Sequence, residues 1–235
     1  MPPGTPLSAD GVSAAPLDAI VQRSTEQIHA LTKPLAADMV KAMKAELVRA
    51  VAVGDSPRTT GRRILKRTEG KFNGGLTRAM MIARTEVIDA GRAAALVSDQ
   101  AYREVLDGWE WHASLDARTC ISCLVQHGTR HDIDEPGPLD HHQGRCARIP
   151  VTKSWKDLGF TTVDEPKNDM PDSREWFDNL TPDTQQKIMG KARLQAFNDG
   201  KVSWDQLSTR KATPGWRDSY HVTPLKELTL SRSVP

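Results

Sequence analysis

All three cysteines and four of the seven histidines fall between Ser114 and Val151, in SLDARTCISCLVQHGTRHDIDEPGPLDHHQGRCARIPV. Cys120 and Cys123 are spaced C-x-x-C, which lets two thiolates from one tight turn grip a single ion. Cys146, with a histidine four or five residues before it (His142 or His141), offers a second pair of donors. Three thiolates and one imidazole make one of the closed tetrahedral sets of structural zinc, so the expected cofactor is Zn2+ in a structural role. The loop between the halves is polar and holds Gly128, Pro136, Gly137 and Pro138. Few of its residues could build an apolar core, and an ion would contribute the folding free energy that burial cannot. A redox disulfide is disfavoured, because this C-x-x-C is not expected to open a helix after a strand.

A catalytic metal centre is the competing chemistry. His127, His131, His141 and His142, with Asp132, Asp134 and Asp140, are enough donors for an open hydrolytic site. That alternative would be a metal-dependent nuclease or toxin-like enzyme. It needs a free coordination position and an oriented base, and no H-E-x-x-H or comparable spacing occurs. After Cys146 the next histidine is His221. The expectation is therefore a non-enzymatic brace. A second feature is basic: Arg58, Arg62, Arg63, Lys66, Arg67 and Lys71 cluster in SPRTTGRRILKRTEGK, offset only by Glu69. Helical spacing puts Arg63, Lys66 and Arg67 on one face, suited to phosphates or to an acidic protein surface. Phe72 is the only ring nearby, so the stacking platform of a single-strand binder is absent.

The elements that must position these residues are mainly helical. Of 235 residues, 38% are hydrophobic and only 5% aromatic, which is lean and points to helices packing along stripes. Charged residues at 26% argue against wholesale disorder, and a net charge of +2 does not by itself call for nucleic acid. An odd cysteine count with a C-x-x-C fits a reducing compartment. No apolar run approaches the roughly 20 residues of a bilayer span, so no membrane is expected. Residues 1–16 are rich in Pro, Gly, Ser and Ala and read as a flexible arm. From Leu17, apolar residues recur at helical steps through Met39, Met43, Leu47 and Val51, with a kink expected at Pro34. A second helix is predicted over Thr59 to Arg67 and a long third one over Leu76 to Leu106. GWEWHASLD alternates Trp109 and Trp111 with polar residues, as a half-buried strand does. Beyond the linker VDEPKNDMPD, Asp172 with Glu175, Thr181 with Pro182, Gly200, and Ser203 with Gln206 punctuate a helical tail.

In order, ARTEVIDAGRAAAL, GWEWHASLDARTCISC and HHQGRCARIPV resemble the phage head morphogenesis family of minor capsid proteins, the Mu F-like group. The tail REWFDNLTPDTQQKIMGKARLQAFNDGKVSWDQL resembles the segment that often follows in that family. Together these cover roughly residues 75 to 210. Aligning Arg145 and Cys146 with the family's R-C places His141 on the motif histidine, with His142 its competitor. Gly144 stands where the family pattern has a further cysteine. The resemblance implies a virion component made in the host cytoplasm, inside the head near the portal vertex, acting in head assembly, DNA packaging or genome delivery. Implied partners are the portal protein, other head proteins and packaged double-stranded DNA. The expected fold is mainly α with a small α+β module. It has a flexible arm (1–16), a helical portal-docking region (17–106), a Cys/His module of short strands (107–165), and a linker with a helical tail (166–235).

Overall fold

The structure is a computed structural model and describes residues 36–69, 75–212 and 218–230. The expected arm, the helix start at Leu17, the kink at Pro34 and Lys71 lie outside the described residues. Helices combine with two small antiparallel sheets, in two compact units that divide between Ala94 and Ala95.

In the first unit, α1 (Ala37–Val53) carries the expected stripe: Met43 and Leu47 are fully buried, with Met39, Val40 and Val51 packed beside them. Gly54, in the left-handed conformation at φ 70°, ends the helix. α2 (Pro57–Arg67) starts two residues before the predicted Thr59, because the Ser56 side chain accepts the Thr59 N–H and Pro57 takes a position that needs no donor. Ile64 of α2 and Ala79, Ala83 and Ala90 of α3 (Gly75–Ala101) complete this core. α2 comes close to α3 at Gly61, where an added Cβ would lie 3.2 Å from the Met80 backbone.

In the second unit, α3 stops five residues short of the predicted end. The Lys153 ammonium donates to the carbonyls of Arg103 (3.0 Å) and Glu104 (2.9 Å), capping the turn that follows the helix. Val105 and Leu106 thereby leave the helical path, and β1 (Leu106–His112) begins. It is the middle strand of a sheet ordered β2-β1-β3, with β2 (Arg130–His131) and β3 (Ala147–Thr152) antiparallel on its two sides. Pro150 is tolerated because β3 is an edge strand. The strand is not half-buried as expected: Gly108, Trp109, Glu110 and Trp111 are all buried.

The tail is α5 (Ser173–Asp178), α6 (Pro182–Met189), α7 (Lys191–Asn198), a 3-10 turn (Asp205–Leu207), β4 (Ser208–Lys211), β5 (Ser219–Val222) and α8 (Leu225–Leu230). It is not wholly helical, since β4 and β5 pair as an antiparallel ribbon. The predicted caps form: Asp172 accepts the Glu175 N–H, Thr181 accepts that of Thr184, and Gln206 accepts that of Ser203. Phe177, Met189, Val202, Leu207 and Leu228 share one core with Ile121 and Leu124, which belong to α4 (Ile121–Gln126). The Cys/His segment therefore does have an apolar core, most of it contributed by residues distant in sequence. Among the described residues, no helix is long and apolar enough to cross a membrane.

Candidate metal centre

The C-x-x-C straddles the start of α4: Cys120 is its N-cap residue and Cys123 lies in its first turn. The sequence reading had not expected a helix there. All three cysteines are free, with Cys123 and Cys146 buried and Cys120 partly so. Cys146 arrives from the other side, one residue before β3. The halves are clamped together by Arg145, whose guanidinium forks onto Asp116 with two bonds of 2.7 Å and also donates to Thr119 at 3.0 Å. Asp116 accepts the Arg118 N–H as well. The fork holds the Asp116 carboxyl well below the usual carboxylate range. These three residues are the D-x-R-T and R-C positions of the motifs. Spacing arguments about ligands passed over them because they bind each other.

Four of the five side chains around the centre are the predicted donors. The ligand atoms of Cys120, Cys123 and His141 lie within 4.8 Å of one another, and so do those of Cys123, Asp140 and Cys146. The two triads share Cys123. His141 points Nε2 at Cys120 Sγ, 3.2 Å away, while its Nδ1 meets the carbonyl of His142 at 2.8 Å. A carbonyl on Nδ1 fixes the tautomer that leaves Nε2 for a metal. His142 itself is exposed, so the orientation favours His141 over its neighbour.

The electrostatics of the cluster suit a dication. Hydrogen bonding from Cys123, and then from His141, pulls the Cys120 thiol far down. The Cys123 thiol is driven up, first by Cys120, then by Cys146 and burial. His141 is raised to about 9 by its bond to Cys120. A thiolate at Cys120 thus opposes a second one at Cys123. A divalent ion at their centre removes that repulsion and displaces the imidazole and thiol protons. The residues fit zinc by donor type and tautomer.

Among the described residues, His127, His131, Asp132 and Asp134 fall in neither triad. His127 accepts the Ala113 N–H at Nδ1 (2.9 Å) and meets the Pro171 carbonyl at Nε2 (3.0 Å). His131 stacks on Trp109 with ring centroids 4.2 Å apart and binds Thr129 and Glu135. Asp134 is held by Gln100 and Arg103, and Asp132 accepts the Asp134 N–H. Arg148 braces the far side: its Nε donates to Asp99 at 2.7 Å, its other nitrogens to the Glu135 and Ile133 carbonyls, and it lies over Trp109.

The basic run divides into two sets. Arg63 pairs with Asp55, and Arg67 donates to Glu46 at 2.9 Å, so the predicted face of Arg63, Lys66 and Arg67 is partly spent inside the unit. Arg58, Arg62 and Lys66 are exposed and recur every fourth residue, which lines them up on one face of α2.

A helical unit is thus followed by a sheet-and-helix unit that carries the Cys/His cluster and the Asp–Arg fork. The description "Phage Mu protein F like protein" matches residues 41–169, more than half of the chain, and the chain belongs to that family. The comparisons with curated proteins and with solved structures found no match.

Proposed function

We propose that this chain is a non-enzymatic minor capsid protein of a tailed phage, a virion component acting in head morphogenesis at the portal vertex. The observation that supports this most is the family match over 41–169, which takes in both the helical unit and the Cys/His cluster. In this reading Cys120, Cys123, His141 and Cys146 hold a structural Zn2+, which fixes the small sheet against α4. The helices of the first unit engage the portal protein, and Arg58, Arg62 and Lys66 face packaged DNA or an acidic head protein. The His- and Asp-rich loop is occupied with internal hydrogen bonds and stacking, which leaves a nuclease reading without an oriented base.

A particle reconstruction without imposed vertex symmetry tests this reading. Density for the chain against the portal inside the head is expected, and pull-down of the portal protein with the tagged chain from infected cells should agree. Particles that lack the chain, with no portal in the pull-down, would overturn it.

A further inference from the structure

Asp140 was expected only as a donor of the open hydrolytic alternative and not of the Cys/His set, yet it lies fully buried beside the sulfurs. Its side chain is fully buried, its ligand oxygen lies within 4.8 Å of Cys123 and Cys146 Sγ, and Oδ2 accepts the Cys146 N–H at 3.2 Å. A Cβ placed on Gly144 would stand 1.8 Å from Asp140 Oδ2 and 2.2 Å from its Cγ. The carboxylate therefore fills the space where any side chain at 144 would begin. Residue 144 must be glycine while residue 140 is aspartate, and the two positions are one packing unit.

Building on the metal reading above, we propose that Asp140 is a second candidate for the fourth ligand position, in competition with His141. The two triads that share Cys123 are the geometric basis: one closes on the His141 imidazole, the other on the Asp140 carboxylate. Zinc accepts either donor at similar length, and a closed site takes four ligands. Cys123 belongs to both triads, so an ion held there meets His141 on the Cys120 side and Asp140 on the Cys146 side, and three sulfurs leave one position that either can fill. Each of the two remaining donors covers for loss of the other. Gly144 is the consequence: a thiolate from that position and a carboxylate from Asp140 claim the same volume, and this chain uses the carboxylate.

The test uses the full chain, Zn2+ affinity by competition with a chromophoric chelator, and Co2+ absorption. His141→Ala and Asp140→Asn, made singly, should each weaken Zn2+ binding by less than about tenfold. Combined they should weaken it by more than about a thousandfold, well beyond the product. Asparagine keeps an oxygen for the Cys146 N–H, so a carboxylate that only caps that amide would show no such coupling. As a second arm, the double variant Asp140→Ala, Gly144→Cys should bind Co2+ with a sulfur charge-transfer band stronger by about a third, four sulfurs replacing three. If Asp140→Asn adds nothing in the His141→Ala background, and the swap leaves the band unchanged, Asp140 is no ligand and the zinc site stands without it. If the wild-type chain binds neither ion, both the site and this role for Asp140 fall.

Discussion

Arg145 and Asp116 show how much of the centre's order comes from residues that touch no ion. A guanidinium fork is planar and offers two parallel donors, which an ammonium cannot reproduce. Both partners are about a third exposed or less, at 27% and 34% of their side-chain surface, so water screens the pair only in part. Arg145→Lys should therefore cost about 1 kcal/mol of stability in the metal-loaded protein, read by chemical denaturation. Arg145→Lys and Asp116→Asn should not be additive, since either one removes the fork. Fully additive losses would show that the fork contributes nothing as a pair. His127 makes a pH prediction with a defined sign. Burial is the largest influence on it and lowers its pKa from 6.5, against the opposing pull of the Pro171 carbonyl. The unfolded chain then binds the proton more readily than the folded one. The stabilisation is complete above 6.5 and is lost as pH falls below that value. Metal-stripped protein should melt progressively lower from about pH 6.5 to about pH 5, and His127→Gln should flatten that slope. His141, raised to about 9, has the opposite sign, and its contribution disappears only on the alkaline side.

Helix packing in the first unit turns on Gly61 of α2. A Cβ there would lie 2.9 Å from Met80 Cγ and 3.2 Å from the Met80 Cα and N, so backbone as well as side chain blocks it. Helix propensity alone favours replacing glycine, which makes the sign informative: Gly61→Val should destabilise the chain by about 2 kcal/mol through overpacking. A stabilised variant would mean that α2 and α3 are not in contact at this residue. Several elements were legible in the sequence because their signals are local. Examples are the α1 stripe, Pro57 behind Ser56, and the caps at Asp172, Thr181 and Ser203. The C-x-x-C and the histidine at its proper remove from Cys146 also located the cluster. What was not legible depends on distant partners. α3 ends before a turn whose Arg103 and Glu104 carbonyls Lys153 holds, although its own composition would continue it. β1 is the middle strand of its sheet, with Tyr220 and the loop at Glu135 against its two tryptophans, and alternation cannot report such partners. STRK and SYHV are too short and too polar to announce β4 and β5, which are paired through register alone. Asp140 was named only as a donor for an open centre, and its packing against Gly144, where a Cβ would meet its carboxylate, is a contact that spacing does not report.

At the scale of the molecule, the question is how the ion and buried apolar area divide the work of holding the second unit. Trp109 and Trp111, 6.4 Å apart and each nearly fully buried, carry a larger apolar surface than any other pair in the sheet. Ile121 and Leu124 add burial against the tail. Each such side chain contributes roughly 1.5–3 kcal/mol, so the second unit has a core of its own, unlike an isolated zinc finger. The proposed ion would act on a narrower target, joining residue 120 to residue 146 across a polar loop that has little burial to close it and offsetting repulsion between thiolates. Removing it should weaken the second unit without unfolding the chain. The first unit has a separate cluster around Met43, Leu47 and Ile64 and no donor in the centre. With a contribution of about 5 kcal/mol from the ion, a strong chelator should lower the melting temperature of the second unit by roughly 10–20 °C. Hydrogen exchange should accelerate across 106–152 and stay unchanged across 37–67, and replacing Cys120 and Cys123 by serine should reproduce both effects. Equal acceleration in both stretches would mean that the units share one folding equilibrium. Protection unchanged everywhere would mean that the tryptophans and the tail hold the sheet with no help from a metal.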